Sequence, residues 1–167
     1  MTARPDPAAR LALEQACYLC GTHHDALQEA LADLRRQPLD LVRLGRLDKA
    51  DRRLLDQFAY RYTRLQDDMG ARLMPALLRA LGEDPAAMPV LDRLNRLEQI
   101  GWLGSAEGWS ELRRIRNEFT HDYLAGVVER LARLELAMVA AERLVQIYRS
   151  IQQRLQARGD LLPRSSV

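Results

Sequence analysis

Between residues 7 and 36 the apolar side chains Leu13, Cys17, Cys20, Leu27, Leu31 and Leu34 recur at steps that add threes and fours, and His24 falls in the same series. This is one stripe of an amphipathic α-helix, because 3.6 residues complete a turn. Pro38 closes the stripe, and the stretch through Gly45 reads as a loop or short turn before an aspartate cap at Asp48 or Asp51. From residue 49 to 81 the stripe resumes with Leu55, Phe58, Tyr62, Leu65, Met69 and Leu73. Pro75 lacks a backbone N–H and its ring crowds the preceding turn, so a kink is expected near Ala71.

Gly82 and Asp84-Pro85 end that helix, and Val90, Leu91, Leu94, Leu97 and Ile100 predict a shorter one that begins near Pro89 and stops at Gly101. Ser105 reads as the cap of the next helix, which buries Trp109, Leu112, Ile115 and Phe119 and loses its pattern at Asp122. The last helix, over residues 125–157, carries Val127, Leu131, Leu134, Met138, Ala141, Val145, Tyr148 and Leu155 as a sustained heptad and stops at Gly159. Residues 161–167 read as a frayed tail. With no internal repeat and no low-complexity linker, the elements add up to an all-α chain. It is read as an up-and-down four-helix bundle with a short additional helix, one domain over 1–167 with an ordered core of 7–158.

Composition supports that class. A chain of 167 residues buries a core without disulfides or metal, and its Gly, Pro and aromatic residues are few. The 25 basic and 23 acidic residues leave a net charge of only +2, so any contact with RNA must be local. Apolar runs are short and broken by charge, well below the ~20 residues a membrane span needs. The start lacks a basic segment followed by an apolar one, so a cytoplasmic protein with no membrane association is expected. Cys17 and Cys20 with His23 and His24 have the side-chain types of a zinc site. Structural zinc sites draw ligands from two separated segments, however, and no second pair exists. Buried thiols and a hydrogen-bonded core histidine are expected instead, with no disulfide, no metal and no cofactor assigned.

The chemistry is concentrated in Arg116-Asn117-Glu118-Phe119-Thr120-His121-Asp122-Tyr123. Arginine offers a planar, permanently charged fork for phosphate oxygens, and histidine moves protons near neutral pH. On a continuous helix five residues turn by ~140°, so Arg116 and His121 of one chain point apart, while Arg116, Thr120 and Tyr123 share a face. Asn117 and His121 share another. A break in the helix would unite the two sets in one chain, or a two-fold axis would unite them from two chains. On an earlier helix, the spacing of Arg61, Arg64, Asp67 and Asp68 suits intrahelical ion pairs.

The octet resembles the Arg-x-x-x-x-His signature of HEPN-domain proteins, in the longer Arg-x-x-x-x-His-x-Tyr form of the HepT-like toxins paired with minimal nucleotidyltransferase antitoxins. The stretch from Phe58 to Asp68 and the helical layout are similar too. The resemblance implies a homodimer with a composite cleft that cleaves single-stranded RNA without metal. The RNA's own 2′-hydroxyl would be the nucleophile, which leaves DNA inert. In that reading His121 transfers protons, Arg116 stabilises the phosphorane, and Asn117 orients a phosphate oxygen or the imidazole. Arg64, Asp67 and Thr120 would position RNA. Tyr123 would receive AMP from the nucleotidyltransferase partner, whose phosphate would then occupy the Arg116 fork. The rival reading is a non-catalytic substrate-binding or adaptor partner of a minimal nucleotidyltransferase.

Overall fold

Side-chain caps set where the helices begin in the computed structural model, which describes residues 6–121 and 126–162. Asp6 accepts from the backbone N–H of Ala9 at 3.3 Å and starts α1, Pro7–Arg36. Asp48 accepts from Asp51 at 2.8 Å and starts α3, Lys49–Asp68, while Ser105 accepts from Gly108 at 2.9 Å and starts α6, Ala106–Thr120. Each cap satisfies a donor that the first turn leaves without a partner. The segment between α1 and α3, expected as a loop or turn, holds the five-residue helix α2, Leu41–Gly45. There Arg43 donates to the carbonyls of Gln37 and Pro38 and reaches Asp51 at 2.5 Å, tying the connection to the next helix.

The interruption expected near Ala71 takes the form of a π turn over Met69–Leu73, after which α4 continues from Met74 to Ala80. Pro75 has no N–H to give to the carbonyl of Ala71. The neighbouring Met74 N–H bonds instead to Met69, five residues back. Gly82, at φ +86°, lets the chain leave α4. A 3₁₀ turn over Pro85–Ala87 leads to α5, Val90–Gln99, and α7 runs from Val127 to Arg158.

The four long elements form a ring in chain order: α1 lies against α3, α3 against α6, α6 against α7, and α7 against α1. Pairings along their lengths show that α1 and α7 run antiparallel, Cys17 meeting Tyr148 and Arg35 meeting Glu142. The same holds for α3 and α6, where Phe58 meets Phe119 and Asp67 meets Arg116. Leu13, Leu27, Phe58, Tyr62, Leu65, Leu77, Leu112, Leu144 and Tyr148 are fully or almost fully buried between them. Cys20 and His24 lie in this core and Cys17 packs against it, as their stripe implied. Burial pushes the Cys17 thiol up to about 11 and the Cys20 thiol up to about 12.

The stretch read as a frayed tail begins with a packed residue, and residues 163–167 lie outside the described ones. Gly159 adopts φ +64° and bonds back to Leu155, turning the chain so that Leu161 is only 1% exposed. An apolar residue just past a left-handed glycine cap commonly packs back on the last turn. Among the described residues there is no β-strand, and no helix is long and apolar enough to cross a membrane.

Candidate functional site

Helix α6 is fixed in rotation by Trp109, Leu112 and Ile115, all buried. One turn later Phe119 sets its ring edge-on to Phe58 and Tyr62, with centroids 5.8 and 5.9 Å away. This packing leaves Arg116 in the seam between α6 and α3. Its Nη2 donates to Asp67 Oδ2 at 2.5 Å, and its Nη1 donates to Asn117 Oδ1 at 3.1 Å. The guanidinium is therefore held by a carboxylate 49 residues away, on the helix that carries the second region of resemblance.

Behind this pair the polar accounting is incomplete. Arg116 Nε and the Tyr62 hydroxyl are both buried without a hydrogen-bond partner among the described residues. Burial pushes the Tyr62 phenol well above its ordinary range, and the nearby Arg116 charge works in the opposite direction. Asp67 is half-exposed, so its hold on Arg116 is open to competition from another anion.

The remaining octet residues are placed differently from one another. Thr120 shares the Arg116 face as expected, but its hydroxyl donates to the carbonyls of Arg116 and Asn117 at 3.2 and 3.1 Å. It closes the last turn of the helix. His121 is the C-cap, exposed and without a hydrogen bond or ion pair among the described residues. The helix stays regular through Thr120, so the chain does not break between Arg116 and His121. Tyr123 lies outside the described residues.

Arg64 belongs to the neighbouring face of α3. It approaches Asp68 at 3.4 Å across the expected (i, i+4) spacing. Asp68 is 3% exposed and also faces Arg72 Nε at 3.3 Å and His23 Nε2 at 3.4 Å. Arg61 lies 3.0 Å from His23 Nδ1, so that nitrogen accepts and the ring proton sits on Nε2, toward Asp68. Desolvation, followed by the Arg61 charge, lowers the His23 pKa, with Asp68 acting against both. Among the described residues no group of three or more His, Cys, Asp or Glu side chains converges in a way that could hold a metal ion.

Sequence reasoning missed three parts of this region: Tyr62 as the phenol behind Arg116, His23 as a partner of Asp68, and Gln66 in the core. Gln66 left a signal, since a polar residue interrupts the stripe of Tyr62, Leu65, Met69 and Leu73. His23 left none, because its partners come from another helix. Comparison with family models, curated proteins and solved structures returns no match, so geometry carries the functional reading.

Proposed function

We propose that this chain is a metal-independent endoribonuclease of the HEPN type, a HepT-like toxin that acts on single-stranded RNA as a homodimer. In this proposal a minimal nucleotidyltransferase silences it by adding AMP to Tyr123. The observation that carries the reading is at the end of α6: a guanidinium anchored from behind by Asp67, followed within two turns by an exposed imidazole that no neighbour among the described residues holds. A clamp for negative charge and a free proton-transfer group are the two tools that this cleavage requires.

Because α6 is continuous, Arg116 and His121 diverge by ~140° in one chain. Two copies about a two-fold axis would pool the Arg116 clamp of one with the imidazole of the other. Exposed Val128, Leu136 and Val139 on α7 supply apolar surface of the kind a second copy covers. His121 would remove the proton of the 2′-hydroxyl as the O2′–P bond forms and the P–O5′ bond breaks. The departing 5′ oxygen takes up a proton from water, leaving a 2′,3′-cyclic phosphate and a 5′-hydroxyl, and His121 returns its proton to solvent. Arg116 would turn from Asp67 to the crowded phosphate, and Asn117 would orient one of its oxygens.

The test is incubation of unmodified protein, verified by mass, with mixed RNA and a metal chelator, beside His121→Ala and Arg116→Ala. Cyclic phosphate ends that vanish in both variants are expected. Mass increments of AMP size on co-expression with a nucleotidyltransferase, absent in Tyr123→Phe, would support the silencing step. The second reading, a non-catalytic adaptor of such an enzyme, is favoured by one observation: Asp67 already fills part of the Arg116 fork. Intact RNA after incubation with protein free of AMP would select it.

A further inference from the structure

Where the π turn meets α5 and α6, the surface opens into a groove of about 390 Å³, within the range of small-molecule sites. Met74, Leu94 and Trp109 form apolar walls, and Arg93 and Arg113 contribute positive charge. Arg93 donates through Nε to the Met88 carbonyl, Arg113 is exposed, and neither makes an ion pair among the described residues. Gly70 of the π turn approaches Trp109 so closely that a Cβ there would sit 3.4 Å from the indole. The widened turn thus sets the groove's floor beside a flat aromatic wall.

Gln66 is the anomaly. It lines this groove and is 3% exposed, yet neither its amide oxygen nor its amide nitrogen has a hydrogen-bond partner among the described residues. A buried amide with both functions unmet destabilises the fold, and native proteins rarely keep one without a use. Both amide atoms are closed to solvent, so an occupant that meets them must draw the side chain toward the groove and present a donor and an acceptor side by side. It must also be flat enough for the apolar walls and carry negative charge toward the arginines. Adenine fits, since a glutamine amide pairs with its N6 amino group and N7 in bidentate fashion.

We propose that this groove binds an adenine nucleotide, with the Gln66 amide reading the base and Arg113 holding the phosphate. Its biological role rests on the RNA-directed function proposed above: Asp67 both lines the groove and grips Arg116, so an adenylate seated here would lie beside the cleavage site and select the RNA step. Free AMP offers the same chemistry, and the experiment separates the two sources.

Calorimetric titration of the full chain would use AMP, UMP and a 2′-deoxy oligonucleotide containing one adenine, which cannot be cleaved. Saturable binding of AMP or of the oligonucleotide is expected, with UMP weaker by on the order of tenfold. Gln66→Met keeps the side-chain volume and removes the orphaned amide. It should therefore weaken adenine binding by about tenfold while leaving the melting temperature equal or higher. Arg113→Gln should weaken AMP more than adenosine. Binding of AMP alone would identify a free nucleotide as the occupant, and binding of the oligonucleotide would identify an adenylate in a chain. No binding of either, equal affinity for UMP, or unchanged affinity in a folded Gln66→Met protein would overturn the assignment. RNA cleavage dependent on His121 but with neither AMP nor the oligonucleotide bound would remove this groove and leave the ribonuclease reading standing; AMP binding without cleavage would do the reverse.

Discussion

Asp67 and Asp68 are adjacent in the chain and chemically identical, yet they live in different environments. Asp68 is 3% exposed and faces His23, Arg64 and Arg72, so it sits in a buried charge network between α1 and α3. Asp67 is half-exposed and bonds to Arg116 in the seam with α6. One residue turns a helix by ~100°, which is enough to move a carboxylate from one inter-helix seam to the next. A buried carboxylate holds its partners with little competition from water, whereas a half-exposed one can let go of its partner. The Asp68 seam is thus suited to holding helices together, and the Asp67 seam to exchanging ligands.

If that contrast is right, changes in the two seams should separate function from stability. The largest effect should come from His121→Ala, which is expected to reduce RNA cleavage by roughly two to four orders of magnitude, with the melting temperature unchanged because the side chain is exposed and has no partner among the described residues. A parallel fall in melting temperature would show that His121 supports the fold instead. Next comes Asp68→Ala, which leaves the buried His23 ring proton without its acceptor and should lower unfolding free energy by roughly 1–3 kcal/mol in urea titration. Asp67→Ala, by contrast, should cost less, about 1 kcal/mol, since the half-exposed carboxylate is only partly shielded from water. It should nevertheless change RNA affinity by freeing the Arg116 fork. Equal destabilisation by the two aspartate variants would erase the contrast.

The pH dependence of the buried network sharpens it. His23 has a pKa below its ordinary value of 6.5, so the unfolded chain binds the proton more readily than the folded one. Its contribution to stability is fully present above 6.5 and is lost as pH falls from there through the lowered folded value. The melting temperature should drop between about pH 7 and 5, and the drop should be shallower in His23→Gln. The smallest effect is expected from Tyr62→Phe. Its hydroxyl has no partner among the described residues, so stability should hold or rise by up to about 1 kcal/mol. If the phenol serves a bound phosphate beside Arg116, RNA affinity would fall all the same.

Much of the fold was legible in the chain because helices are local objects. The span of α1, the Ser105 cap, the stop at Gly159 and the interruption ahead of Pro75 each depend on residues within a turn or two. The octet's geometry was partly legible for the same reason: a helix regular to Thr120 separates Arg116 from His121 whatever surrounds it. The fate of Thr120 was less so, since a hydroxyl on the right face turned back to the carbonyls of its own helix.

Periodicity says which side of a helix is wet but not which helix lies opposite. The spacing of Arg61, Arg64, Asp67 and Asp68 suggested one ladder of intrahelical pairs, and Arg64 with Asp68 follows it. Arg61 turns to His23 on α1 and Asp67 to Arg116 on α6, because opposing helices bring stronger partners into reach. Leu161 packs back onto the core for the same kind of reason, a contact made available only once the bundle has closed. The sequence by itself determined where helices start, stop and turn their apolar faces, since those depend on backbone donors and a 3.6-residue period. Only the tertiary structure decided which charges meet, that Asp67 faces one seam and Asp68 another, and that Gln66 is buried without a partner among the described residues. Those outcomes depend on distances between segments far apart in the chain.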